Sequence, residues 1–311
     1  MRKIIFILVC NFFVCSIVNA QVADSAFAAV RYSFMHIMDT TQPDNPFKEN
    51  TIIYLGKNMS NYTNYDRIEQ VAKLKASGQN IGSTADMNKI DMSTVKSMSV
   101  NNGLMTITTN SGSTLNFIGG PGVTNSYFKD QEAAKLDYIA TAGGKLFSVE
   151  EKIPAIEWNI TQETKDIKGL PCQKAIGDFK GRTYEAWFCS QLPYNNGPWK
   201  LGGLPGLIVE ASDTKKEVVF TFTSFESNLT EPVAIALPKE VLVTTPKEFT
   251  QYQDAIRKDR AAMRSGNGGG GGGGVVVSDV RINVAGSAGP ASSGAIKPRQ
   301  MNNPIEKEKI K

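Results

Sequence analysis

Histidine is nearly missing from this sequence: one residue, His36, among 311. Any centre that needs two protein imidazoles is thereby excluded, and a Ser-His-Asp triad has only His36 to draw on. Charge of one sign is also scarce. A net charge of +4 over this length is too small for the broad basic face of a nucleic-acid binder, so no nucleic-acid partner is expected. No cofactor motif and no metal-ligand spacing occurs, and past the amino terminus no apolar run is long enough to span a membrane. No Gly-x-Ser-x-Gly element is present to mark a hydrolase nucleophile.

The amino terminus is the one strongly apolar stretch. Arg2 and Lys3 precede a run from Ile4 to Val18, and Val18-Asn19-Ala20 offers a cleavage site before Gln21. Residues 1–20 read as a secretory signal peptide, too short and too weakly flanked for a stop-transfer helix. Cleavage removes Cys10 and Cys15, leaving Cys172 and Cys189 in an oxidising compartment. The mature chain is then expected to be exported and not to be an integral membrane protein.

What remains reads as mainly β, a β-rich α+β chain. Alternating apolar residues over 27–38, 156–160, 172–179 and 182–189, with shorter runs at 52–55, 207–211 and 217–225, predict strands. Leu104–Thr108 and Ser113–Ile118 flank Asn110-Ser111-Gly112 as a hairpin, and Tyr138–Thr141 and Lys145–Val149 flank Gly143-Gly144 as another. Asp66 with Glu69 suggests the cap of a short helix near 66–77, with Ile68, Val71, Ala72 and Leu74 on one face and Gly78 as its stop. Thr245-Pro246-Lys247-Glu248 is a capping box opening a second helix near 246–264. The expected organisation is a signal peptide at 1–20, a single β-rich domain over 21–264, a Gly-rich linker at 265–274, and a strand-like piece with a flexible tail over 275–311.

Two cysteines sit in one predicted hairpin. If its turn is Lys180-Gly181, opposing residue numbers sum to 361, which places Cys172 across from Cys189. Alternation makes that a non-hydrogen-bonded pair, whose Cα atoms approach to about 4.5 Å, within disulfide range. A Cys172–Cys189 disulfide is therefore expected. The same register puts Ala175, Gly177 and Phe179 with Tyr184, Ala186 and Phe188 on a buried face. Lys174 then lies opposite Trp187 on the other face, a cation–π geometry.

Next comes Asn195-Asn196-Gly197-Pro198-Trp199-Lys200-Leu201-Gly202, then Gly203-Leu204-Pro205-Gly206-Leu207-Ile208. Pro205-Gly206 suits the centre of a type II turn feeding a buried strand. This string resembles the name-giving motif of the GLPGLI family of exported Bacteroidetes proteins. The likeness extends to Ile156-Glu157-Trp158-Asn159-Ile160, to Gly169-Leu170-Pro171-Cys172, to Leu55-Gly56-Lys57 with Ser60, and to a closing Asn302-Asn303-Pro304-Ile305-Glu306. Leu104–Ile118 reads as an insertion against that pattern. The resemblance implies export and a β-rich fold, pictured as a single curved antiparallel sheet or half-barrel, but it carries no activity. Asp24-Ser25-Ala26 and Asp39-Thr40-Thr41 resemble O-glycosylation tripeptides of Bacteroidetes periplasmic proteins.

The functional expectation is a non-enzymatic cell-envelope protein that binds a small apolar ligand or an envelope partner, with outer-membrane transport as its context. Trp158, Lys174, Arg182 and Trp187 are the candidate ligand-facing residues. The Gly203–Ile208 motif is either a ligand-facing loop or, more simply, a tight turn into the core. A carboxylate-dependent envelope hydrolase or transferase and a structural surface component are the alternatives. Glu150-Glu151 is the kind of pair the hydrolase would use, although at a strand end it is most simply solvated.

Overall fold

The computed structural model describes residues 24–79, 81–82, 90–101, 104–118, 126–143, 145–265 and 301–307. The predicted signal peptide, the glycine run 268–274 and the strand-like piece 275–284 lie outside the described residues. The described chain is mainly β with two helices. Its main sheet has twelve strands. From one edge these are β12 (Trp158–Ile167), β13 (Leu170–Phe179), β14 (Arg182–Cys189), β15 (Leu207–Asp213), β16 (Val218–Glu226) and β2 (Ala28–His36). The order continues with β3 (Phe47–Leu55), β4 (Met59–Asn64), β9 (Ser126–Asp130), β10 (Lys135–Ala142), β11 (Lys145–Lys152) and β18 (Leu242–Thr244).

The sheet is open and mixed. Its last pair, β11 with β18, runs parallel, so a purely antiparallel sheet is not what forms. The parallel partner arrives from β16 by way of a separate two-stranded pairing of β17 (Val233–Ile235) with β1 (Asp24–Ala26). Leu104–Ile118, read as an insertion, forms β7 and β8 of a separate four-stranded sheet that also takes in earlier chain, in the order β5 (Ile81–Gly82), β8 (Thr114–Ile118), β7 (Leu104–Thr109), β6 (Val95–Asn101). Met105 and Ile107 are the buried centre of a small core there.

Both predicted helices form. The first, α1, spans Tyr65–Ala76, but its cap is Asn64, whose side chain accepts from Arg67 N–H. Asp66 is diverted to β3, where it accepts from the backbone N–H and side-chain amide of Asn50. No residue of α1 is fully buried, and Ala72 is exposed; the helix lies along β3 rather than in the core. The second, α2, spans Pro246–Ser265. Its capping box closes as predicted: Glu248 accepts from Thr245 N–H at 2.9 Å and Thr245 Oγ1 accepts from Glu248 N–H at 3.3 Å. Phe249 and Tyr252 of α2 pack on Phe147 of β11.

The principal core joins β2, β3, β13, β14, β15 and β16, with Tyr32, Tyr184, Phe220 and Ile208 all but inaccessible. Residues 190–206, between β14 and β15, cross one face of the sheet. Lys200 reaches Glu151 on β11, although six strands separate β15 from β11 in the sheet order. That crossing shields the middle of the sheet from water and brings the signature loop against β9 and β11.

Candidate functional site

The β13–β14 hairpin has the predicted register, from Phe179 opposite Arg182 to Gln173 opposite Phe188. Lys180 and Gly181 both have positive φ, 52° and 72°, as a two-residue type I′ turn requires. The inward set is also as expected, with Ala175, Tyr184, Ala186 and Phe188 buried. The ladder stops one pair short of the cysteines. Cys172 aligns with Lys165 of β12 and Cys189 with Leu207 of β15, and both are buried free thiols. The disulfide is thus not present in this structure. The two remain close enough to interact: burial first, and then Cys189, pushes the Cys172 thiol up to about 12.

Four residues were expected to face a ligand; Lys174 and Trp187 are opposite each other as predicted, while Trp158 and Arg182 lie apart from them. Trp187 lies on the outer face and lines a cleft of about 220 Å³ with Lys165, Glu185, Glu210, Ser212 and Lys216. The cation over its ring is Lys165, 4.4 Å from the centroid, and not Lys174. Lys174 instead reaches Glu163 at 3.3 Å and Glu185 at 3.5 Å, because two carboxylates attract an ammonium more strongly than a ring quadrupole does. Lys165 also bonds Glu210 at 2.7 Å, and Lys216, at φ 56°, donates to Ser212 Oγ at 2.6 Å. Bulges widen this face where β12 slips between Ile160 and Thr164, and where β15 slips opposite Trp187 and Phe188. The cleft is of mixed character: two lysines and two glutamates surround one indole, beside Ala211, Val219 and Phe220.

Trp158, the first residue of β12, is tied to the signature loop. Its indole N–H donates to the Gly202 carbonyl at 2.8 Å, and its ring packs over Gly177, where a β-carbon would come within 2.8 Å of it. The predicted type II turn at Pro205-Gly206 does not form. Gly206 N–H donates to Leu204 O at 2.8 Å, a γ-turn around Pro205, while Leu207 N–H goes to Leu192 O. Leu204, Leu207 and Ile208 are buried, so the motif is a packed entry to β15. Gly203, Leu204, Pro205 and Gly206 of the motif, with Pro193 and Asn195, also border an open depression of about 430 Å³.

Beneath this loop lies a residue with no signal in the sequence. Lys129 of β9 is buried and donates to Asn196 Oδ1, Gly197 O and Leu201 O at 2.9, 3.0 and 2.6 Å. Burial pulls its ammonium down to about 7. Asn196 in turn donates to Ser60 Oγ at 2.7 Å, joining the loop to β4.

Arg182, the fourth candidate, is buried against the chain's own closing segment. Its side chain is 1% exposed and donates to Asp213 at 2.6 Å and Glu217 at 2.9 Å. Its remaining donors hold the closing segment, through Asn303 Oδ1, Pro304 O and Ile305 O at 2.7, 2.8 and 3.0 Å. Glu306 of that segment bonds Lys200 at 2.7 Å, and Glu151 shares the same ammonium. Glu150 bonds Lys135 and stays 39% exposed, so of the two glutamates it is paired but still solvated, while Glu151 is largely covered. His36, also buried, lies near this cluster, and burial lowers its imidazole below the usual value. Among the described residues, no group of three His, Cys, Asp or Glu side chains could hold a metal, and no helix is long and apolar enough to cross a membrane. Ser25 and Thr40 are both exposed.

A family model described as a protein of unknown function (Porph_ging) matches residues 178–210, from the hairpin tip through the signature loop into β15. No curated protein matches the chain. Among solved structures, PNGF-II in space group P21 is similar over 76% of this chain and 34% of its own, at TM-score 0.43 and 13% identity. PNGF-II in space group C2 is similar over 75% and 33%, at 0.42 and 15%. The chain therefore spans about a third of the length of those solved chains.

Proposed function

We infer that this protein is exported, loses residues 1–20, and acts at the periplasm or cell surface by binding a polar ligand in the Trp187 cleft. The observation that carries this reading is the cleft itself. A tryptophan is held on an exposed sheet face among side chains whose charges are already paired, Lys165 with Glu210 and Lys174 with Glu163 and Glu185. Pre-positioned donors and acceptors around one aromatic plate favour recognition, since little side-chain freedom is left to lose on binding. The balanced lining suits an uncharged or zwitterionic hydrogen-bonding ligand, in place of the apolar one expected from sequence. Outer-membrane transport is the first envelope system to examine for the donor or acceptor of that ligand.

The test is mass spectrometry of molecules co-purifying with the protein from its own periplasm, paired with tryptophan fluorescence when they are added back. The reading requires a saturable signal that Trp187→Ala abolishes, with the melting temperature unchanged to within a few degrees. An empty preparation whose fluorescence responds to none of the periplasmic small molecules overturns it.

A further inference from the structure

Residues 301–307 form neither strand nor helix, yet they are held by one of the densest sets of polar contacts in the molecule. Asn303 is read at three points. Its Oδ1 accepts from Arg182, its side-chain amide donates to Ile37 O at 2.6 Å, and its backbone N–H donates to Met38 O at 3.1 Å. Ile305 packs on the principal core. Glu306 lies between Lys180 at 3.3 Å and Lys200 at 2.7 Å, and Lys307 N–H donates to Lys180 O.

The receiving groups are also held by contacts that do not involve the segment. Asp213, which aims Arg182, is itself fixed by the N–H groups of Glu217 and Val218 at 2.7 and 2.9 Å. Arg182 stands at the rigid hairpin tip opposite Phe179. The Ile37 and Met38 carbonyls immediately follow β2, which is paired on both sides. A groove whose donors and acceptors are fixed by the sheet needs no reorganisation to accept a segment.

We propose that this Arg182 groove is a peptide-recognition site for an extended Asn-Pro-apolar-Glu segment, filled in this structure by the chain's own residues 303–306 and able to take the same sequence from another polypeptide. Asparagine is specified because both ends of its amide are used. Aspartate would set a carboxylate against the Ile37 carbonyl, and alanine would leave an Arg182 donor and that carbonyl unpaired. Glutamate is specified by the two lysines. The intramolecular segment has the advantage of high effective concentration, so a partner enters only when it outcompetes or displaces that segment.

The test uses the full chain carrying Asn303→Ala with Glu306→Ala, which disables its own segment, and a fluorescein-labelled peptide of residues 300–311 read by anisotropy. Saturable binding is expected, at least tenfold tighter than to the unaltered chain. Peptides with Asn303→Ala or Glu306→Ala should lose at least tenfold, and Met301→Ala less than about threefold, because Met301 is 75% exposed. Arg182→Lys in the receiving chain should also lose at least tenfold, as an ammonium cannot supply the forked donors. A folded double variant that does not bind the peptide, or that binds the Asn303→Ala peptide equally well, overturns the proposal. If the double variant does not fold, a protease site placed within 268–274 of the otherwise unaltered chain serves instead. After cleavage the released carboxy-terminal piece should exchange with labelled peptide; a piece that never exchanges, or leaves without rebinding, also overturns it.

Discussion

Gly206 is pressed against Cys189: a β-carbon at 206 would stand 2.3 Å from the Cys189 carbonyl oxygen and 2.7 Å from its carbon. The obstructing atoms are backbone at the end of β14, so they cannot turn aside as a side chain could. Gly206→Ala should therefore cost about 3 kcal/mol or more, at the upper end of overpacking penalties, and leave little folded protein. Gly202→Ala is the control, because nothing stands closer than 3.9 Å to its β-carbon. It should stay within about 1 kcal/mol of the parent. Urea midpoints measured side by side check both, and equal midpoints would show that the motif is not held by this contact.

Cys172 and Cys189 should be silent to iodoacetamide at pH 8 in the folded, reduced protein. Both are buried, and with the Cys172 thiol at about 12 almost none of it is thiolate, the reactive form. Unfolding should release both for labelling. The adjacent strands keep the pair in register to within one residue, so protein recovered from an oxidising compartment should carry the disulfide predicted from sequence. It should be more stable than its reduced form by roughly 3 kcal/mol. Mass analysis after labelling decides it, and two labelled cysteines in exported protein would count against the bond.

Asp213→Ala should be among the most damaging changes outside the apolar core. It strips Arg182, 1% exposed, of its shortest ion pair and removes the acceptor for two N–H groups of the β15–β16 turn. Removing one partner of a buried pair costs about 3–5 kcal/mol. Glu217→Gln should cost far less, since that carboxylate is 16% exposed and a glutamine can still accept from Arg182. Thermal melts of the two variants should separate clearly, and similar midpoints would contradict the weight given to Asp213.

The local half of this structure was legible in the sequence. The Lys180-Gly181 turn set a register that held for seven residue pairs, because a two-residue loop leaves no slack. The Thr245 box opened α2 where its spacing said it would. The cap of α1 was misplaced because Asn64 and Asp66 are equally good caps locally, and only the approach of Asn50 on β3 decides between them. Arg182, beside a two-residue turn, was a candidate ligand-facing residue, and its partners stand 31, 35 and 121 residues away. No periodicity reports contacts at that separation. The Trp187 cleft was half visible. Its indole followed from alternation, but Lys165 and Glu210 reach it only through bulges, which no residue pattern announced.

Lys129 should make the stability of this protein rise with pH in a way a methionine cannot. Its three hydrogens meet three acceptors in the signature loop, yet burial outweighs them and brings its pKa to about 7. In the unfolded chain the same amine titrates near its ordinary value of about 10.4. Between those two values the unfolded state holds a proton that the folded state has released, so raising the pH favours folding. The gain approaches about 1.4 kcal/mol for each pH unit above 7 and is absent below it, where both states are charged. Lys129→Met leaves the Asn196, Gly197 and Leu201 oxygens without their donor and should be less stable at every pH. Its urea midpoint should lack the rise between pH 7 and 9 that the parent shows over and above its other titrations. If the two profiles run parallel from pH 6 to 9, the ammonium is not depressed.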